Sequence, residues 1–293
     1  MLACLSLRCP AAPAVTALHK ISLSSRKALR VAAVTGAVRL GWLASLLATP
    51  TLANDMLDAH PSNGGRGDLS AALLMTARAF DEAALRVNDT TPADLVRWTQ
   101  PIFVAIDPGT ELRPHAPQII AAVNRLGAIA GVVVFPVAAD DPRRNFLLRP
   151  ADPAGRAACR AAVSSQAGHI VRVEIELFLN GRASLERCIN HEILHGFGFR
   201  SHPHGAPSIL SYRAAEVAQI TPTDRLLLET LYDPRLQPGM KVADAALAAC
   251  TLIGDRLGLG REAVESACAN RPPANGRIAS FGNRASDPQA ESP

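Results

Sequence analysis

The sequence predicts an α/β (α+β) fold in which a mixed sheet is combined with a histidine-bearing helix and a small helical C-terminal part. Three patterns indicate this class: apolar runs of strand length, one strictly alternating segment, and several segments with helical periodicity. Strands are expected near residues 101–106, 131–136, 145–149 and 170–179. Helices are expected over residues 69–87, 116–129 and 185–195, between Thr221 and Asp233, and as two short helices within 242–268.

The segment 170–179 shows the clearest alternation in the chain, which is typical of a strand with one buried and one wet face. The odd-numbered positions are aliphatic and are expected to face the core. They are Val171, Val173, Ile175, Leu177 and Leu179. The intervening Arg172, Glu174, Glu176 and Phe178 are expected to face the other way.

Two of the expected helices carry clear end signals. Ser184 can cap the helix that follows it, and Gly196 and Gly198 are expected to end that helix. Thr221 is a good N-cap for the next helix, and Asp224 can complete a capping-box-like arrangement with it. Both helix starts are therefore expected close to these residues.

The N-terminal segment 1–53 has the features of a signal peptide. It contains six basic residues and no acidic one, and its apolar stretch 40–53 ends in Thr51-Leu52-Ala53, a small-x-small cleavage pattern. A buried N-terminal helix is the alternative. Without this segment, 24 basic and 26 acidic residues leave a net charge of −2. This balance and the 4% aromatic content argue against a nucleic-acid partner.

We expect an exported protein, secreted or periplasmic, with no membrane span after cleavage, because no other segment is long and apolar enough. The four cysteines beyond the signal peptide allow three disulfide connectivities, and an even number favours disulfides in an exported protein. Proximity in the sequence favours Cys159–Cys188 and Cys250–Cys268, the second of which would join the two C-terminal helices. Four buried free thiols are the alternative.

The chemistry is concentrated in the segment from His191 to His204, which begins with His-Glu-Ile-Leu-His. Positions i and i+4 of a helix share one face, so His191 and His195 can present two imidazole nitrogens to one metal ion. Glu192 would lie beside the metal, where it can take a proton from a metal-bound water and pass it to a leaving amine. Such a spacing is typical of zinc hydrolases.

This segment resembles the signature of the metzincin group of zinc metallopeptidases, His-Glu-x-x-His-x-x-Gly-x-x-His. His191, Glu192, His195 and Gly198 match it position by position. The third histidine is expected at 201, where this chain has a serine. His202 follows one residue late and is the favoured third ligand of Zn²⁺, with His204 as its competitor.

Two downstream pieces extend the resemblance. The segment 208–212 (Ser-Ile-Leu-Ser-Tyr) is similar to the astacin turn that runs beneath the metal, with Leu210 in place of a methionine. This similarity implies that Tyr212 approaches the metal or stabilises an oxyanion. The segment 220–232 resembles the closing helix of astacins and matrixins. Tracts at 97–102 and 231–240 also resemble an uncharacterised family of secreted bacterial proteins.

The resemblance implies an exported zinc metallopeptidase with a zincin-like fold and a peptide or protein substrate. Together with the composition of the other segments, this predicts a signal peptide at 1–53, a flexible lead-in at 54–68, a zincin-like catalytic domain at 69–240, a helical hairpin extension at 241–269 and a disordered tail at 270–293. An exposed edge of the strand at 170–179 could bind extended peptide. A non-catalytic envelope binding protein with a structural or vestigial zinc site is the alternative, and a zinc hydrolase for a non-peptide amide is a third.

Overall fold

The computed structural model describes residues 66–109, 111–152, 159–179, 184–212 and 216–271. These residues form six α-helices and a five-stranded mixed sheet, which confirms the predicted α/β (α+β) class. The expected signal peptide, most of the expected lead-in and nearly all of the expected tail lie outside the described residues. None of the helices in the described ranges combines the length and apolar character that crossing a bilayer requires.

Every helix predicted from periodicity is present in the structure. The helices are α1 (Arg66–Ala84), α2 (Ala116–Ala130), α3 (Leu185–Gly196), α4 (Pro222–Leu231), α5 (Val242–Arg256) and α6 (Arg261–Ala269). The first begins at Arg66, before the expected start at 69, and it ends before 87 because Arg86 and Val87 pair in a strand instead. Ser184 caps α3, and Thr221 and Asp224 form a full capping box on α4, as predicted.

The five-stranded sheet has the order β4-β3-β5-β7-β6. Its strands are β3 (Ile102–Ile106), β4 (Val134–Pro136), β5 (Phe146–Pro150), β6 (Arg160–Gln166) and β7 (His169–Leu177). All neighbours are parallel except β6, which pairs with β7 in the antiparallel sense and forms one edge. A separate two-stranded hairpin joins β1 (Arg86–Val87) to β2 (Thr91–Pro92).

The structure corrects two expectations for the strand at 170–179. β7 lies between β5 and β6, so it has no exposed edge, and the free edge beside it belongs to β6 among the described residues. Its alternation also changes at a register shift opposite Ser164 and Ser165, where Val171 has no partner in β6. The expectation that Val171 faces the core is therefore wrong: it is 40% exposed, and Ile170 is buried in its place.

Helix α3 packs closely against the sheet. A side chain at Gly196 would come within 2.7 Å of the Phe146 ring on β5 and 3.1 Å of Val173 on β7, so only a glycine permits this approach. The apolar face of α3 is buried through Ile189, Ile193 and Leu194. The sheet thus fixes the distance of the C-terminal turn of α3 from the core.

Both disulfides have the connectivity expected from the sequence. Cys159 bonds Cys188, which joins the segment before β6 to the first half of α3. Cys250 bonds Cys268 and joins α5 to α6. The first bridge closes a separation of 29 residues, which in the chain-entropy account stabilises the fold by roughly 3–4 kcal/mol.

The end of α3 is held by Trp98 and Tyr232, which come from distant parts of the chain. The Trp98 indole N–H donates to the carbonyl of Gly196 over 2.9 Å, and the Tyr232 hydroxyl donates to the carbonyl of Phe197 over 2.9 Å. The same hydroxyl accepts from the backbone N–H of Trp98 over 3.1 Å. These bonds satisfy carbonyls that a helix end otherwise leaves without partners.

The two tyrosines of the chain offer a matched test of this arrangement. Tyr232→Phe removes both the donor to Phe197 and the acceptor for Trp98, and we expect it to lower the free energy of unfolding by about 1–3 kcal/mol. Tyr212→Phe, at a side chain that is 64% exposed, should change it by less than about 0.5 kcal/mol. Urea unfolding at unchanged m value measures both, and equal stability of the two variants would contradict the role of Tyr232.

Candidate metal centre

Helix α3 brings His191 and His195 together on one face. The two residues are one helical turn apart, and their Nε2 atoms lie 3.1 Å from each other. The helix begins at the Ser184 cap, whose side chain accepts from the backbone N–H of Arg187 over 3.2 Å. The pair therefore sits near the end of a helix that is fixed at both ends.

The chain turns directly after α3 and returns with His202. Gly198 has φ 118°, and a side chain there would lie 2.5 Å from the carbonyl oxygen of Val96, so the turn requires glycine. After the turn, the Nε2 atom of His202 lies 3.2 Å from that of His195. The ligand atoms of His191, His195 and His202 all lie within 4.8 Å of one another.

The neighbours of His202 do not join this cluster. Ser201, at the position where the metzincin pattern has its histidine, is buried and donates its hydroxyl to Asp89 over 2.6 Å. His204 lies against α1, where its backbone N–H donates to Glu82 over 2.8 Å. The structure thus groups His202, and not His204, with the two helical histidines.

Each of the three imidazoles is oriented by an acceptor at its other nitrogen. The Nδ1 atom of His191 lies 2.9 Å from the carbonyl oxygen of Ile209, and that of His195 bonds the carbonyl of Phe199. The Nδ1 atom of His202 lies 3.0 Å from a carboxylate oxygen of Asp89. Acceptors at Nδ1 place the proton there and leave the Nε2 lone pairs free.

This arrangement suits a cation. Three Nε2 lone pairs converge with no proton between them, and such a set is what a divalent metal requires of neutral imidazoles. Burial lowers the pKa of His191 to about 4 and that of His195 well below its ordinary value. Both rings are therefore neutral at physiological pH, which is the form that binds metals.

Glu192 lies in the same helical turn as His191, with only 6% of its surface exposed. Burial raises the pKa of its carboxyl to about 8, and a hydrogen bond with the backbone of Ala161 acts in the opposite direction. Ala161 belongs to β6, so the edge strand of the sheet runs beside this carboxyl. A nearby cation would lower the pKa and favour the carboxylate form.

The turn at 208–212 packs against the histidine cluster and contacts it through the carbonyl of Ile209. Ile209, whose carbonyl orients His191, and Leu210 are both fully buried. Asp224 on α4 fixes this turn, because its carboxylate accepts from the Ser208 hydroxyl and, over 3.0 Å, from the Ile209 N–H. Burial raises the pKa of Asp224, and these hydrogen bonds counteract the rise.

Tyr212 follows this turn and lies at the rim of the cluster. Its ring stacks on that of His202, with centroids 4.0 Å apart and planes 28° apart. Burial raises the pKa of its hydroxyl, and the negative charges of Asp89 and Glu192 add to the rise. The ring is thus close to the histidines while most of its surface remains open to solvent.

Sequence reasoning missed Asp89, the backbone of Ala161, and the connection between Asp224 and the turn. Asp89 lies 113 positions before His202, and no spacing pattern links the two. The segment of β6 reads Arg-Ala-Ala-Val-Ser-Ser-Gln and lacks the alternation that predicts a strand. Asp224 carried a signal as a helix cap, but that signal does not reveal its bonds to Ser208 and Ile209.

Comparison with known proteins identifies one family similarity. A family model described as "Protein of unknown function (DUF2927)" matches residues 148–249, about a third of the chain. The matched segment extends from β5 into α5 and contains Glu192 and all three clustered histidines. No curated protein matches the chain. This chain is thus similar, over that segment, to a family whose description assigns no activity.

Proposed function

We propose that this protein is an exported zinc-dependent metallopeptidase in which His191, His195 and His202 hold the metal. The observation that carries the proposal is the convergence of three Nε2 atoms, each on a ring whose Nδ1 atom is held by an acceptor. Glu192 stands beside this set on the same helix. The sequence resemblance to metzincins supports the same assignment.

Zinc is the metal that this donor set favours. Zinc–nitrogen bonds of about 2.0–2.1 Å at tetrahedral angles separate two nitrogens by roughly 3.3–3.4 Å. The observed separations of 3.1 and 3.2 Å to His195 are close to that value. Three imidazoles with no carboxylate among the donors also suit zinc better than calcium or magnesium, which prefer oxygen ligands.

The number of ligands favours a catalytic site over a structural one. Structural zinc sites are closed by four protein ligands, whereas catalytic sites keep one position open. The cluster found among the described residues has three members, and His204, which would have closed it, lies against Glu82 instead. This observation weighs against the alternative of a closed structural zinc in a binding protein.

In the proposed hydrolysis, the metal site, Glu192 and Tyr212 have separate roles. When bound, zinc would supply a Lewis acid that polarises the scissile carbonyl and acidifies a water at its open position. Glu192 would accept the proton of the attacking water on a carboxylate oxygen and then deliver it to the leaving amine. Tyr212, at the rim of the cluster, would donate a hydrogen bond from its hydroxyl to the carbonyl oxygen, on which negative charge develops.

The edge strand β6 suits an extended peptide substrate. The backbone of β6 forms a hydrogen bond with Glu192 at Ala161. Among the described residues β6 pairs only with β7, so its other edge is free. In this proposal an extended peptide adds to the free edge of β6, the strand whose backbone bonds Glu192. The site of strand addition is thus assigned to β6 rather than to β7.

The two disulfides support export, because such bonds persist in oxidising compartments. This agrees with the signal peptide expected at 1–53. An extracellular or periplasmic location follows from the proposal.

The metal site is tested by zinc content of the purified protein and of two histidine variants. We expect one zinc per chain in the parent. His202→Ala should weaken zinc binding by at least 100-fold, because it leaves two ligands. His204→Ala is the matched control and should retain one zinc per chain. Elemental mass spectrometry after equilibration at defined free zinc measures all three proteins. Loss of zinc in the control with retention in His202→Ala would reverse the ligand assignment.

Glu192→Gln tests catalysis separately from metal binding. The amide has nearly the same shape but cannot accept the proton, so zinc content should be unchanged while peptide hydrolysis falls by at least 100-fold. Hydrolysis is followed by mass spectrometry of an unbiased peptide mixture, with Glu186→Gln on the exposed first turn of α3 as the control. Parent-level hydrolysis by Glu192→Gln would contradict the assigned role. A parent that holds zinc but cleaves no peptide would favour the binding-protein alternative.

A further inference from the structure

The β1–β2 hairpin carries a carboxylate that touches a clustered histidine. Its turn contains Asn88 and Asp89 at φ 51° and 63°, a left-handed conformation that asparagine and aspartate adopt more readily than most other residues. The hairpin follows α1 directly and pairs through Val87 and Thr91. The left-handed turn aims the Asp89 side chain at the segment after α3.

One oxygen of Asp89 accepts three hydrogen bonds from two consecutive residues. Its Oδ1 atom lies 2.6 Å from the Ser201 hydroxyl, 2.9 Å from the His202 backbone nitrogen and 3.0 Å from His202 Nδ1. All three partners are donors when His202 carries its proton on Nδ1. Because Asp89 Oδ1 can only accept from these groups, it favours the tautomer of His202 that carries its proton on Nδ1.

His202 needs this support more than the other two histidines do. His191 and His195 are placed by α3 itself, whereas His202 lies in the irregular segment that follows the turn at Gly198. The backbone of that segment is held independently on α1. The Arg200 N–H donates to the carbonyl of Ala83 over 2.9 Å, and the His204 N–H donates to Glu82 over 2.8 Å.

We infer that Asp89 is a positioning residue for the third ligand, fixing the Nδ1–H tautomer and the ring orientation of His202. The inference rests on the proposed metal site, but it requires no peptidase activity. Because Arg200 and His204 hold the segment from both sides, loss of the Asp89 side chain should disturb the ring of His202 more than its backbone. The hairpin thus acts on the metal site through one oxygen atom.

Three variants separate charge, geometry and general stability. Asp89→Asn keeps an oxygen acceptor and tolerates the left-handed turn while removing the charge. Asp89→Gly removes the whole side chain at a φ that glycine adopts freely, so the turn itself is not strained. Asp94→Asn removes a nearby carboxylate that forms an ion pair with Lys241 on the surface, and it serves as the control.

Two readouts are measured on each folded variant. Zinc affinity comes from competition with a chromophoric chelator, and the tautomer of His202 in metal-free protein comes from its ring ¹⁵N chemical shifts. Asp89→Gly should bind zinc 10–100-fold more weakly and lose the preference for Nδ1–H. Asp89→Asn should keep that preference and lose less affinity than Asp89→Gly. Asp94→Asn should match the parent in both readouts.

The inference is overturned if Asp89→Gly keeps the parent tautomer, whatever its zinc affinity. An affinity loss with an unchanged tautomer would mean that Asp89 only stabilises the fold. If the parent itself binds no zinc, the proposed function fails. In that case the tautomer in metal-free Asp89→Gly still decides the role of Asp89, so the two failures are distinguishable.

Discussion

The turn that ends α3 is the constraint on which the candidate site depends. Two histidines of the cluster lie on the helix, and the third can join them only if the chain reverses within a few residues. Gly198 makes this reversal possible, because the carbonyl of Val96 leaves no room for a side chain. Trp98 and Tyr232 then bond the carbonyls at the helix end, which fixes where the reversal begins. Close packing of Gly196 against the sheet fixes the distance between the end of α3 and the sheet.

Compared with the metzincin pattern that the segment resembles, this chain has one more residue between Gly198 and the third histidine, and a polar contact holds that residue. Ser201 occupies the position that the metzincin pattern gives to histidine, and it is buried with its hydroxyl on Asp89. The same carboxylate oxygen accepts from His202, so one acceptor fixes both residues. Burying a hydroxyl without a partner costs about 1–3 kcal/mol, and the hydrogen bond to Asp89 removes that cost at Ser201.

Local patterns predicted much of this molecule. The Ser184 and Thr221 caps, the α3 bounds and the pairing of the four cysteines all follow from residues close together in the sequence. What failed depends on contacts between distant segments. β6 becomes a strand because β7 lies beside it, and the register shift at Val171 arises from that pairing rather than from the alternation of the segment itself. Asp89 could not be found because a hairpin, not a spacing, brings it to His202.

The segment similar to the uncharacterised family contains the ligands but only part of their support. Residues 148–249 include the three histidines, Glu192, Asp224 and Tyr232. Asp89 and Trp98 lie before it, and both form hydrogen bonds with groups inside it. Because these bonds orient His202 and hold the end of α3, the geometry of the site belongs to a larger unit than the matched segment. The stretch from α1 to Tyr232, the residue after α4, is therefore the smallest one that contains every contact argued to fix the three histidines.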